Sequence, residues 1–105
     1  MGFRKIFYVM AVICTLFLLA CGPKTKVLDA QLDTPVHHVK NGNMLLKTGK
    51  IDAAFREFNR AKELDPMYPQ AYIGLGLVHG IKGDYETSFM YMKKAINMMR
   101  ATDSR

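Results

Sequence analysis

Two hydrophobic patterns divide the chain. From Ile6 to Ala20 the sequence IFYVMAVICTLFLLA runs without a charge, directly after Arg4 and Lys5. From Pro35 onward the apolar residues instead recur three and four positions apart among polar ones, the period of helices that bury one face. Between these regions, Gly22 to Thr34 (GPKTKVLDAQLDT) has no sustained apolar period and reads as a tether. Fully extended it would reach about 45 Å, at 3.3 to 3.6 Å per residue. Val27, Leu28 and Leu32 would equally suit a short helical turn. No strand pattern competes.

Helix start and stop signals cut the region after Pro35 into four helices. Thr34-Pro35 supplies an N-cap and a proline at the first helical position, and Thr48-Gly49-Lys50 supplies a stop, which predicts a helix from Val36 to Thr48. Asp52 opens a second, in which Ala54, Phe55, Phe58, Ala61 and Leu64 keep the helical period before Asp65-Pro66 ends it. Tyr68-Pro69 opens a third, to Ile81 and the stop at Lys82-Gly83; a fourth runs from Tyr85 to Met99. The fold class is all-α, four antiparallel helices in a short solenoid.

Shifting the chain over itself by 34 residues brings Gly42 onto Gly76, Gly49 onto Gly83, Phe55 onto Phe89 and Ala61 onto Ala95. Such a period marks a repeat architecture, in which each two-helix unit buries its apolar face against the next. Small residues at Gly42, Gly76, Ala54, Ala61 and Ala95 let the backbones approach, and Leu45, Phe58, Leu75 and Met92 fill the space between. Gly42, Leu45, Gly49, Ala54, Phe58, Ala61 and Pro66, then Tyr72, Leu75, Gly76, Gly83, Tyr85 and Ala95, make the region resemble two tetratricopeptide repeats, at 35–68 and 69–102, with a tail at 103–105. His38, Asn41, His79 and Arg100 depart from that family's usual residues.

The front of the chain carries a different resemblance. Arg4 and Lys5 followed by an apolar run have the form of a secretory signal, and as a helix that run would be about 22 Å long, short of the roughly 30 Å core of a bilayer. It ends in Leu18-Leu19-Ala20-Cys21-Gly22, which resembles a bacterial lipobox. The resemblance implies that residues 1–20 are cleaved as a signal peptide and that Cys21 becomes a lipidated N-terminus, carrying a covalent diacylglycerol and an N-acyl chain. Cysteine count agrees: Cys14 leaves with the signal, so Cys21 remains alone and needs no disulfide partner. Two or three acyl chains hold a protein to a membrane more firmly than the single chain that binds marginally. Gly22 in place of an aspartate implies the outer membrane, facing the periplasm.

Charge excludes one class of partner. The whole chain has 15 basic and 9 acidic residues, and loss of Arg4 and Lys5 would leave a net charge of +4. Basic and acidic groups alternate, as in Asp52, Arg56, Glu57, Arg60, Lys62 and Glu63, which describes a solvated helix face and not a nucleic-acid stripe. A protein partner is the expectation instead. In the repeat family the first helix of each unit lines a concave face that grips a peptide or helix, which implies Val39, Asn43, Leu46 and Lys47 from the first helix and Gln70, Ile73, Leu77 and Ile81 from the third. Those apolar residues would otherwise bury one another or contact the tether. Two repeats are fewer than the three usually needed for a continuous core, and the fourth helix carries Phe89, Met90, Met92, Ile96, Met98 and Met99. Either a homodimer or another protein covers them, or they cover the second and third helices.

No catalytic or metal-binding constellation stands out. His37 and His38 are adjacent and point about 100° apart on a helix, so they read as surface histidines, and His79 reads as a partly buried helix residue without a neighbouring acid. The glycines of Gly74-Leu75-Gly76 lie inside a predicted helix with no preceding strand, so phosphate binding is not supported. The expected role is non-enzymatic: a scaffold or assembly factor for an envelope complex, of the pilus or secretin type, with a non-catalytic accessory subunit of an envelope enzyme or transporter as the alternative.

Overall fold

The computed structural model describes residues 2–19 and 31–104, which fall in two compact units, Met1–Leu32 and Asp33–Arg105. In the first unit, α1 spans Gly2–Leu19. Its side chains through Leu16 are exposed, and the Thr15 hydroxyl donates back to the carbonyls of Ala11 and Val12. No helix among the described residues is long and apolar enough to cross a membrane. Cys21 and most of the tether lie outside the described residues.

The second unit holds four helices: α2 (Pro35–Lys47), α3 (Ile51–Leu64), α4 (Pro69–Ile81) and α5 (Tyr85–Asp103). Each packs against the next, and α2 also touches α4, so two helical hairpins stack on each other. Local chemistry explains the hairpins. Both turns close on a glycine in the left-handed region, Gly49 at φ 76° and Gly83 at φ 84°, where a side chain would be strained. Around each, the same pair of bonds forms: Lys50 N–H donates to Leu45 O at 2.9 Å and Gly49 N–H to Leu46 O at 3.1 Å, and Asp84 donates to His79 and Gly83 to Gly80 at matching distances. This is the Schellman stop, built twice, one period apart. Thr34 Oγ1 accepts from the His37 N–H and Asp84 Oδ1 from the Thr87 N–H, each at 3.2 Å, which caps α2 and α5; α2 and α4 begin with proline.

The helices follow the sequence reading to within a residue at most ends, with one correction. The last helix runs to Asp103 and not Met99. Arg100 and Ala101 are good helix formers, and nothing before Ser104 breaks the ladder.

Phe58 is the centre of the core. It is fully buried with Ala54, Leu75 and Val78, and Val39, Leu45, Leu46, Ile51, Phe55 and Tyr91 pack around them. Burial of a side chain of this size is worth about 1.5 to 3 kcal/mol. Its ring lies between α2 and α4 because both present glycine: a Cβ on Gly42 would stand 2.6 Å from Phe58 Cε1, and one on Gly74 would be closer still to Cδ1. Gly42 and Gly76 are the close-approach positions read from the period, and the structure adds Gly74. A second cluster, Tyr72, Ala95 and Met98 with Ile73 and Tyr91 beside it, joins α4 to α5. Here the Tyr72 hydroxyl donates to Pro66 O at 2.6 Å and the Ser88 hydroxyl to Gly76 O at 2.7 Å. Leu45 and Met92 are half-buried, at the margins of the space they were expected to fill.

Candidate protein-docking surface

The eight residues expected on the inner face divide into a buried base and an exposed rim. Val39 and Leu46 on α2 pack against the Phe58 cluster, and Ile73 on α4 packs against Tyr72 and its neighbours, so all three are half-buried. Asn43, Lys47 and Gln70 are exposed. Leu77 and Ile81 are 43% and 58% exposed, although the helix that carries them is otherwise the most buried of the four. Asn43 and Lys47 stand on α2 and Leu77 and Ile81 on α4, two helices that touch, and all four side chains are exposed. Gln70 differs from the rest. It lines a groove of about 410 Å³ with Met67, Tyr68, Pro69 and the end of α5 (Met98, Met99, Ala101, Thr102).

A polar cluster between α2 and α3 was not anticipated. The reading of His38 as a free surface histidine is corrected: its side chain is 17% exposed, its Nδ1 lies 2.7 Å from Glu57 Oε2, and its Nε2 lies 2.9 Å from Asp33 Oδ1. Asp33 in turn accepts two bonds from Arg60, at 3.0 and 2.5 Å, and Arg60 also lies 3.5 Å from Glu63. The Arg60 guanidinium, followed by His38, holds the Asp33 carboxyl down at about 2. Burial opposes charge on His38, yet the bonds to Glu57 and Asp33 outweigh it and raise the imidazole above its ordinary value. The cluster ties the residue that precedes α2 to the middle of α3. Only the pairing of α2 with α3 brings Glu57 to His38, so spacing along the chain carried no signal for it.

His79 has the neighbouring acid that the sequence did not imply. Its Nδ1 lies 3.4 Å from Asp84 Oδ2, and its ring stacks on Tyr91 with centroids 5.5 Å apart and meets the Phe55 edge at 6.0 Å. Asp84 is occupied as the cap of α5, where bonding to Thr87 lowers its pKa. The pair therefore closes the second hairpin. Among the described residues no three His, Cys, Asp or Glu side chains group in a way that would hold a metal.

Two stacked hairpins with glycine stops one 34-residue period apart define a helical repeat of the tetratricopeptide class. Family models agree, one described as TPR repeat over residues 42–83 and one as tetratricopeptide repeat over residues 69–101. Residues 42–101 thus match tetratricopeptide repeats, and such a repeat is a protein–protein interaction module. It is similar to the TPR repeat-containing protein MJ1428 of Methanocaldococcus jannaschii, 31% identical over 61 residues, which cover 58% of this chain and 11% of that protein. It is also similar to the protein O-mannosyl-transferase TMTC1 of Mus musculus and of Homo sapiens, 31% identical over 58 residues in each, covering 55% of this chain and 6% and 7% of theirs. The chain thus spans a small fraction of the length of the curated relatives it matches.

Proposed function

We propose that the protein is a lipid-anchored adaptor that holds a protein partner on the inner face of its two repeats and performs no chemistry itself. The observation that carries this reading is the exposure of Leu77 and Ile81 on α4, otherwise the most buried helix of the four, together with that of Asn43 and Lys47 on α2, which touches α4. An apolar strip flanked by an amide and an ammonium suits an extended peptide or an amphipathic helix. The anchor rests on the sequence Leu18-Leu19-Ala20-Cys21-Gly22, with Cys21 as the lipidated residue, and Gly22 favours the outer membrane, on its periplasmic side. In that position the module would act as a scaffold or assembly factor for an envelope complex.

Two measurements test the two halves separately. Incorporation of labelled palmitate is expected in the wild type and not in Cys21→Ser; equal labelling would remove the anchor. Tagged wild type and Leu77→Glu/Ile81→Glu would then be compared in pull-downs from detergent-solubilised envelope. Loss of one partner with unchanged helical circular dichroism is expected, whereas equal recovery from both would remove the groove. Leu77 and Ile81 are the right pair, because a charge at half-buried Ile73 would damage the core as well.

A further inference from the structure

The 34-residue period supplies an internal comparison for the outer face of α5. On α3, Phe58 is buried with Leu75 and Val78 of α4, and Ile51 and Phe55 pack against that cluster. One period later the same positions are Tyr85, Phe89 and Met92. Tyr85 is 74% and Phe89 68% exposed, and the stripe continues through Ile96 and Met99, at 46% and 43%. Its spacing alternates four and three residues, as in the seam between two packed helices. Thus α5 carries the face that α3 buries; Met92 is half-buried against Gly76 of α4, and Tyr85, Phe89, Ile96 and Met99 are left open.

Two arrangements of a second copy differ sharply in fit. Stacked head to tail, the second copy would lay its α2 on α5 as α4 lies on α3. The receiving residues of α4 are Gly74, Leu75 and Val78, and their α2 equivalents are Lys40, Asn41 and Met44. A lysine and an asparagine would then face the apolar stripe in place of the glycine and leucine that face α3, so an open stack of copies is disfavoured. Face to face, α5 meets itself. The stripe is nearly symmetric about Met92, with Tyr85 and Met99 seven positions to either side, so it matches its own reversed copy. Charges agree with that direction: Glu86 and Arg100 border one edge of the stripe at opposite ends, and reversal sets each Glu86 beside the partner's Arg100. Lys93 lies on the same edge near the axis, close to its own copy, and its long stem lets the two ammonium groups turn apart into water.

We propose that the outer face of α5 is a homodimer interface, in which two copies pair their Tyr85, Phe89, Ile96 and Met99 side chains antiparallel about a two-fold axis near Met92. The pairing leaves Leu77 and Ile81 free, so two partner-binding faces are presented together. It does not depend on the lipid anchor or on the inner-face reading.

The test is sedimentation equilibrium of the full chain in density-matched detergent. Wild type is expected to be a dimer and Phe89→Glu/Ile96→Glu a monomer with the same circular dichroism. Arg100→Glu alone should weaken association about tenfold, from two lost edge pairs turned repulsive, and Glu86→Arg/Arg100→Glu should restore it. Those charge changes lie on the exposed edge and keep the test decisive should the first variant misfold. A wild-type monomer, a dimer indifferent to Phe89→Glu/Ile96→Glu, or a double charge swap no tighter than Arg100→Glu alone would overturn the proposal. So would a monomer that binds anionic lipid vesicles through the same stripe.

Discussion

The ring of Phe58 occupies the space that a side chain at residue 74 would need. Gly74 is therefore the residue that lets α4 close on α3 and join the two hairpins into one core. Alanine there would be the better helix former by about 1 kcal/mol. Yet its methyl group must displace a fully buried ring, at a cost of about 1 to 3 kcal/mol. We expect Gly74→Ala to lower stability by up to about 2 kcal/mol in urea denaturation. Phe58→Leu, destabilising alone, should cost much less in the Gly74→Ala background, since the two changes share one space. Simple additivity would contradict the close approach.

The Asp33–His38–Glu57–Arg60 cluster makes stability depend on pH at two ends. Asp33 is shifted down from 3.8 to about 2, so its contribution is present above its ordinary value and lost as pH falls toward 2. His38 is shifted up from 6.5, so its contribution is full below 6.5 and lost as pH rises through the folded value above it. The cluster is strongest between these limits. The urea midpoint of the wild type should fall between pH 6 and pH 8, and that of His38→Gln should change less. A gap between the two proteins that stayed constant with pH would show that His38 is not charged in the fold.

Tyr72 combines packing with one directed bond. It is 3% exposed, its hydroxyl reaches Pro66 O at 2.6 Å, and the Lys94 ammonium lies 4.9 Å from its ring centroid. Removal of the hydroxyl leaves a carbonyl without its donor, so Tyr72→Phe should cost about 1 kcal/mol by thermal denaturation. Lys94→Ala should cost less, since an exposed cation over a ring is worth at most about 1 kcal/mol.

Lys82 and Asp52 meet at 2.5 Å and link the two hairpin turns, and the pairing with Lys82 lowers the Asp52 pKa. Both side chains are largely in water, where ordering two exposed side chains offsets most of their attraction. Lys82→Ala should leave the melting midpoint unchanged at moderate salt. A clear drop would mean that the pair carries the hairpin contact, in place of the apolar core.

The sequence by itself determined the number of helices, their turns and the period that relates them. Those features are local: Gly49 and Gly83 permit a left-handed turn, Thr34, Pro35 and Pro69 start helices, and the three-and-four spacing marks a buried face. It also marked Gly42, Gly76, Ala54, Ala61 and Ala95 as contact points, because the repeat places small residues where backbones must meet. Only the tertiary structure decided which surfaces stay open. Val39, Leu46 and Ile73 carry the same kind of side chain as Leu77 and Ile81, and burial separates the first three from the last two. The His38 cluster and the place of Gly74 were hidden for a related reason: Glu57 reaches His38, and Phe58 reaches Gly74, only across helices that the chain must first fold together.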